Sequence, residues 1–126
     1  MARVLLADSD ADTRTILRCA LLYENFEVIE APDADAAHRL ARSCPVDLIV
    51  LNYPMRLRTG VTLTQALRDV DRLRHLPIIN FTSHVTRKTI IDACRDGVTR
   101  TLAKPAHVDT VLAMIRGLIE PRAGDF

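Results

Sequence analysis

The sequence predicts an α/β domain in which a five-stranded parallel sheet carries helices on both faces. Five short apolar runs alternate with amphipathic stretches along the chain, which is typical of parallel strands joined by helical crossovers. Three of these runs are almost continuously apolar, as expected of strands that are buried on both faces. The predicted strands are Arg3–Ala7, Phe26–Glu30, Asp47–Leu51, Pro77–Thr82 and Thr99–Ala103.

The composition of each run indicates its position in the sheet. The first, third and fourth strands contain the runs Val4–Ala7, Leu48–Leu51 and Ile78–Phe81, so we expect them in the interior. The second strand, Phe26–Glu30, alternates apolar and charged residues, which favours an edge. The fifth, Thr99–Ala103, is more polar and is predicted to form the opposite edge.

Each strand is followed by a predicted helix. In the first helix four apolar residues, Ile16, Leu17, Ala20 and Leu21, share one face, which we expect to be buried. The fourth helix is predicted to stop at Gly97, and the last repeats apolar residues at spacings of three and four. The predicted helices are Thr13–Tyr23, Asp33–Arg42, Thr62–Val70, Thr86–Arg95 and Val108–Ile119.

Length and composition restrict the class of protein. The 126 residues suit a single domain, for which we expect bounds of 1–119, followed by a C-terminal tail at 120–126. The chain is 48% hydrophobic and 26% charged with a net charge of +1, so we expect no direct contact with nucleic acid. An uncharged stretch of about 20 residues, the length that spans a membrane, is missing from the sequence. Three cysteines without a CxxC pair favour a reducing compartment, and we expect a cytoplasmic protein.

Polar side chains follow four of the predicted strands. Asp8-Ser9-Asp10 comes after the first strand and Asn52 after the third, while Thr82 ends the fourth and Lys104 follows the fifth. Ligands of open α/β sheets bind at the carboxyl ends of the strands. Asp8 alone could be a helix cap and Lys104 alone a solvated charge. Together, these groups predict one pocket at this end of the sheet.

In their order and spacing these residues resemble the response-regulator receiver domain of bacterial phosphorelays. The resemblance runs without a gap from residue 3 to residue 52 and implies a flavodoxin-like sheet of strand order 2-1-3-4-5 with five helices. It also implies a place in a two-component signalling system. The later motifs that carry it are Gly60, Leu76-Pro77-Ile78-Ile79, Thr82-Ser83, Asp96-Gly97 and Lys104-Pro105.

The resemblance implies roles for the pocket residues. In the family, two adjacent acids after the first strand and an Asp ending the third hold Mg²⁺, and that Asp accepts a phosphoryl group from a histidine kinase. A Thr or Ser and a Lys grip the phosphoryl oxygens, and an aromatic residue in the fifth strand reports the event. Asp8, Thr82 and Lys104 match this pattern. Ser9 replaces the second acid, Asn52 the phosphoacceptor and Thr101 the aromatic residue.

These departures predict a pseudo-receiver without catalytic residues. Acyl-phosphate formation needs a carboxylate nucleophile, and the amide of Asn52 is neutral. Asp8 and Lys104 cancel in charge, while Ser9 and Asn52 offer only neutral oxygens to a metal. We therefore expect no cofactor, Mg²⁺ binding that is weak at best through Asp8 and Asp10, and an Asp8–Lys104 contact with Asn52 as its hydrogen-bond neighbour.

Two alternatives stay open at this point. In the first, Asn52 is an engineered substitution in an ordinary phosphorylatable receiver, although this would leave Ser9 and Thr101 unexplained. In the second, the chain is a flavodoxin-like protein that binds a cofactor. Such a protein needs a phosphate cradle after the first strand, where this sequence instead places the acids Asp8, Asp10 and Asp12.

The resemblance also implies a protein partner, which could be a histidine kinase, an effector or another regulator. Receivers commonly contact partners through the fourth helix, the fifth strand and the fifth helix. Because neither Thr82 nor Thr101 can drive the usual change, we expect constitutive binding through this face, which could also form a homodimer. Its expected charged groups are Asp92, Arg95, Arg100, Asp109 and Arg116.

Overall fold

A computed structural model, which describes residues 1–119, has a five-stranded parallel sheet of order β2-β1-β3-β4-β5. The predicted fold, including its two edge strands, is confirmed. The tail predicted at residues 120–126 lies outside the described residues. The strands are β1 (Arg3–Ala7), β2 (Glu27–Ala31), β3 (Leu48–Leu51), β4 (Ile78–Thr82) and β5 (Arg100–Ala103).

Within residues 1–119, five α-helices cover the two faces of the sheet. Successive side chains of β1 point to opposite faces of the sheet and so divide the core into two parts. Leu5 packs with the side chains of the second and third helices, while Val4 and Leu6 pack with those of the first and fifth. None of the helices within residues 1–119 is long and apolar enough to cross a membrane. The helices are α1 (Ala11–Tyr23), α2 (Ala34–Ser43), α3 (Leu63–Arg68), α4 (Arg87–Asp96) and α5 (Val108–Ile119).

Capping side chains fix where the helices begin. Asp10, Asp33 and Thr62 cap α1, α2 and α3 by accepting hydrogen bonds from backbone N–H groups of the first turn. Thr86 forms a capping box with Thr89 at the start of α4. Because Asp10 supplies the cap, α1 begins two residues before the predicted Thr13. At its other end, α3 stops at Arg68 instead of Val70, and a 3₁₀ turn follows at Asp71–Leu73.

The prediction that Ile16 is buried with the inner face of α1 is wrong. Leu17 and Leu21 lie four residues apart and face the sheet, whereas Ile16 is 57% exposed. A rotation of about 100° per residue separates Ile16 from Leu17 and turns it to the edge of the helix. Ala20 is half-buried.

Candidate functional site

The carboxyl ends of the strands bring the predicted site residues together. Ala7 and Leu51 are register partners in β1 and β3, so Asp8 and Asn52 leave the sheet side by side. Thr82 pairs in the same way with Ala103, the residue before Lys104. The site is therefore assembled from four strands, as the sequence predicts.

An ion pair between Asp8 and Lys104 occupies the centre of the site. Lys104 Nζ lies 2.8 Å from Asp8 Oδ2, and the other carboxylate oxygen accepts a hydrogen bond from the backbone N–H of Asp10 at 2.9 Å. The Asp8 side chain is 8% exposed and that of Lys104 is 18% exposed. Lys104 Nζ also lies 5.4 Å from the ring centroid of Phe81. The expected Asp8–Lys104 contact is present, and both carboxylate oxygens have partners.

Asn52 lies beside this pair without joining it. Its residue is half-buried, and its backbone carbonyl accepts a hydrogen bond from the N–H of Met55. Within residues 1–119 its side-chain amide makes no hydrogen bond, so the expectation that it neighbours the Asp8–Lys104 pair by hydrogen bonding is wrong. The carboxylate of Asp8 already has two donors, and Asn52 remains a neutral, half-buried group next to the pair. Ser9 is exposed.

The carboxylate of Asp10 accepts hydrogen bonds from the first turn of α1. Its carboxylate accepts hydrogen bonds from the Thr13 hydroxyl at 2.7 Å and from the backbone N–H of Asp12 at 3.1 Å. The Thr13 hydroxyl is the main cause that lowers the pKa of Asp10, followed by the Asp12 amide. Asp10 is thus a capping acid, and this position does not supply a second pocket carboxylate.

The donor set does not fit a resident Mg²⁺ ion. Magnesium prefers several carboxylate and water oxygens in octahedral geometry, but Asp8 is committed to Lys104 and Asp10 to the helix cap. In the described part of the chain, no three His, Cys, Asp or Glu side chains are grouped closely enough to share a metal. Ser9 and Asn52 add only neutral oxygens.

Sequence reasoning missed Asn80, which is almost fully buried in the middle of β4. Its Oδ1 accepts a hydrogen bond from the backbone N–H of Tyr53 at 2.9 Å, and its Nδ2 lies 3.5 Å from Thr101 Oγ1. Asn80 therefore connects the loop after β3 to β5. A single amide within an otherwise apolar strand was the available signal, because a buried amide requires hydrogen-bond partners.

Thr82 and Thr101, which the resemblance predicts to be the switch positions, both make local contacts. Thr82 is buried, and its hydroxyl oxygen accepts a hydrogen bond from the backbone N–H of His84 at 3.1 Å. Thr101 is half-buried and faces Asn80 across the β4–β5 register. The Lys104–Pro105 peptide bond is cis.

Asp96 connects the C-terminal end of α4 to the loop after β3. One oxygen of its carboxylate accepts hydrogen bonds from the Tyr53 hydroxyl at 3.2 Å and from the Thr62 hydroxyl. Burial, followed by the negative charge of Asp96, raises the pKa of Tyr53. The next residue, Gly97, has a φ of 113°, and its carbonyl accepts two hydrogen bonds from the guanidinium of Arg68. The Asp96-Gly97 motif thus fixes one end of α4.

The face formed by α4, β5 and α5, here called the α4–β5–α5 face, exposes most of α4. Ala93 is the only residue of α4 that is fully buried. Asp92 forms an ion pair with Lys88 on the same helix at 2.7 Å. Arg116 of α5 pairs with Glu24 at the end of α1 at 2.6 Å. Its expected contribution to this face stays a prediction. A cleft of about 230 Å³ lies between α4 and β5, and Thr101 is part of its wall.

Comparison with known proteins identifies one family. Residues 4–116 match the family described as the response regulator receiver domain. The chain is 29% identical over 119 residues to the chemotaxis protein CheY of Pseudomonas aeruginosa, which covers 94% of this chain and 96% of that protein. Several other curated relatives are much longer, and this chain spans 13–26% of their length.

Solved structures agree with this match. Chemotaxis protein CheY4 of Vibrio cholerae has a TM-score of 0.86 and 25% identity, with 94% of this chain and 98% of that chain covered. The receiver domain of sensor histidine kinase PA1611 of Pseudomonas aeruginosa has a TM-score of 0.84 and 21% identity, with 95% of this chain and 98% of that chain covered. The latter structure contains a magnesium ion coordinated in its active-site cleft.

Proposed function

The chain belongs to the response regulator receiver domain family of two-component signalling, and we propose that it is a pseudo-receiver acting through constitutive contact with a protein partner. The observation that carries this proposal is the amide of Asn52 at the position where the family forms its acyl phosphate. The neighbouring charge balance supports it, because the Lys104 ammonium pairs with Asp8 and offsets its charge. The proposed role is that of a binding module with no enzymatic step.

The chemistry of Asn52 argues against phosphoryl transfer to this residue. A carboxylate attacks phosphorus with an anionic oxygen, whereas the amide oxygen of Asn52 is neutral and its nitrogen is a poor nucleophile. Transfer also requires stabilisation of the negative charge on the phosphoryl oxygens, which in the family comes from Mg²⁺ and the lysine. Here the donor set does not fit Mg²⁺, and the Lys104 ammonium already contacts Asp8.

The hydrogen bonds around the switch positions support a single conformation of the α4–β5–α5 face. Asn80 connects the Tyr53 amide to Thr101, and Asp96 holds the end of α4 against the same loop. Thr101 has no aromatic ring that could exchange between buried and exposed positions. A ligand or modification shifts a two-state element only if it interacts differently with the two states, and the described residues offer no such difference.

The proposed partner is a histidine kinase, an effector or another regulator of a phosphorelay, and its binding site is the α4–β5–α5 face. Arg95 and Arg100 are exposed there, and Ile90 and Ile91 contribute apolar surface beside them. Interfaces commonly combine apolar anchors with a charged rim. In this proposal the partner binds the same way whether or not the pathway is active.

Labelling with radioactive acetyl phosphate in the presence of Mg²⁺ tests the first half of the proposal. We expect no incorporation at residue 52, and the matched double variant Ser9→Asp with Asn52→Asp should restore labelling in the same fold. A hydroxylamine-sensitive phosphate mapped to Asn52 by mass spectrometry would contradict the proposal.

Backbone amide shifts of the Ser9→Asp, Asn52→Asp double variant with beryllofluoride and Mg²⁺ test the second half. We expect changes in the loops after β1, β3 and β4, with no propagation into residues 86–103 unless Thr101→Tyr is added. Large shifts throughout residues 86–103 in the double variant alone would show a surviving switch and overturn constitutive binding.

A further inference from the structure

The outer face of α1 is apolar, which is unusual for a helix at the surface of a soluble domain. Ile16 is 57% exposed, Leu22 52% and Tyr23 86%, and Cys19 between them is also exposed. At about 100° per residue, Ile16, Cys19 and Tyr23 lie within an arc of about 60°. Arg14 and Arg18 turn away from this arc to pair with Glu30, so residues 13–23 present no charge along it. Contiguous exposed apolar surface of this kind marks interaction sites.

An apolar groove between α1 and α5 continues this face. Its volume is about 380 Å³, which is large enough to admit an aromatic side chain. Ile16 belongs both to the outer face of α1 and to the wall of the groove, so the two surfaces are continuous. Ser83 and Lys104 provide the polar groups of the wall. Leu17, Phe81, Val108 and Val111 provide apolar groups of the wall.

The exposed ring and the groove lie at opposite ends of the same helix. Tyr23 is seven residues beyond Ile16, which is about 10.5 Å along the axis of α1. A twofold axis that passes between two copies of α1 at the level of Cys19, perpendicular to both helices, would place Leu22 of one copy opposite Ile16 of the other. The same operation would place each Tyr23 opposite position 15, at the mouth of the other copy's groove. One symmetric contact then fills both grooves at once.

From this geometry we infer that the chain self-associates as an antiparallel twofold dimer through α1. Tyr23 of each copy occupies the groove between α1 and α5 of the other. This inference goes beyond the pseudo-receiver proposal and does not depend on it, because the α4 surface remains open in such a dimer.

The size and charge of the surface favour a second copy as its occupant. A tyrosine ring buries about 150–250 Å² at an interface, and two rings with the Ile16 and Leu22 side chains give a contact of the small class, below about 1,200 Å². Such contacts are weak and transient. Asp12, near the N-terminal end of the face, comes close to the Glu24–Arg116 pair of the other copy, in which the Arg116 guanidinium offsets the charge of Glu24.

Sedimentation equilibrium of the whole chain from about 10 µM to 1 mM tests the dimer. We expect a reversible monomer–dimer equilibrium, which Ile16→Asp and Tyr23→Ser each weaken about tenfold or more. Ile90→Asp on α4 is the matched control, since Ile90 is similarly exposed at 41%, and it should leave association unchanged. Circular dichroism verifies that each variant is folded. A monomer throughout this range, or an equal loss in Ile90→Asp, would overturn the inference.

Cross-linking at Cys19 tests the position of the axis. The axes of packed helices lie about 8–10 Å apart, and each Cα atom lies about 2.3 Å from its own axis. The Cα atoms of two facing Cys19 residues are therefore separated by about 3.4–5.4 Å. This range overlaps the Cα–Cα distance of about 4.4–6.8 Å found in disulfides. Diamide oxidises two thiols to a disulfide and is reduced to a hydrazine. The Cys44→Ser, Cys94→Ser variant should form a covalent dimer, and the Cys19→Ser, Cys44→Ser variant should not. The reverse pattern would refute an α1 interface.

Discussion

Replacing Lys104 by methionine should destabilise the domain because it leaves the Asp8 carboxylate buried and without its counter-charge. Breaking a fully buried ion pair costs about 3–5 kcal/mol and an exposed one about 0–1 kcal/mol. Asp8 and Lys104 are 8% and 18% exposed, and Asp8 keeps its hydrogen bond from the Asp10 amide. We therefore expect Lys104→Met to lower the free energy of unfolding by about 2 kcal/mol.

Urea unfolding followed by circular dichroism measures this loss. With a urea dependence of about 1.5 kcal/mol per molar, the midpoint should fall by about 1.3 M without a change in slope. The isosteric double variant Asp8→Asn, Lys104→Met removes both charges and should be more stable than Lys104→Met alone. Lys88→Met is the matched control, because Lys88 is 83% exposed in its pair with Asp92 and its loss should cost less than about 0.5 kcal/mol.

Two results would refute this reasoning. A loss below about 0.5 kcal/mol for Lys104→Met would mean that the pair behaves like an exposed one. Strict additivity of Asp8→Asn and Lys104→Met would mean that the two groups do not interact. In either case the view that Lys104 neutralises the site in place of a metal would fail.

Three further predictions concern the same site and its surroundings. Mg²⁺ should bind no better than about millimolar, because Asp8 is paired with Lys104 and Asp10 caps α1. Saturation of amide shifts at tens of micromolar around Asp8 would contradict this. Asn80→Val should lower the free energy of unfolding in urea by about 1–3 kcal/mol, because the backbone N–H of Tyr53 loses its acceptor. Thr101→Val loses only the 3.5 Å contact with Asn80 and should lower it by less. Arg18, and after it Arg14, lower the pKa of Glu30 below its ordinary value of 4.5. The stability that the Glu30 carboxylate contributes is therefore present above pH 4.5 and is lost as the pH falls through the lowered pKa. Glu30→Gln should flatten the dependence of the free energy of unfolding on pH in that acidic range.

The sequence was most informative about the sheet because apolar continuity reports burial on both faces directly. The interior positions of β1, β3 and β4, the two edges and the convergence of Asp8 with Lys104 all followed from it. The positions of Asp8 and Lys104 at the ends of strands were sufficient to predict that they converge, since parallel register brings such residues to one edge of the sheet.

The parts that sequence could not predict depend on the direction of individual side chains. The acid at Asp10 could cap α1 or enter the pocket, and only the positions of the Thr13 hydroxyl and the Asp12 amide decide between these roles. Ile16 follows the apolar spacing of α1 but lies beyond the edge of the buried stripe. Asn80 is hidden within an apolar strand because its partners, Tyr53 and Thr101, come from distant parts of the chain.

The exposure of α4 also has a consequence for hydrogen exchange. With Ala93 as its only fully buried residue, α4 depends on its Thr86 capping box and on the contacts of Asp96 and Gly97 for its position. Its local opening therefore requires much less free energy than global unfolding, and its amides should exchange well before those of β1 or β3. A partner that covers α4 would slow this exchange by mass action, so α4 protection reports occupancy of the face even when the conformation of the domain stays the same.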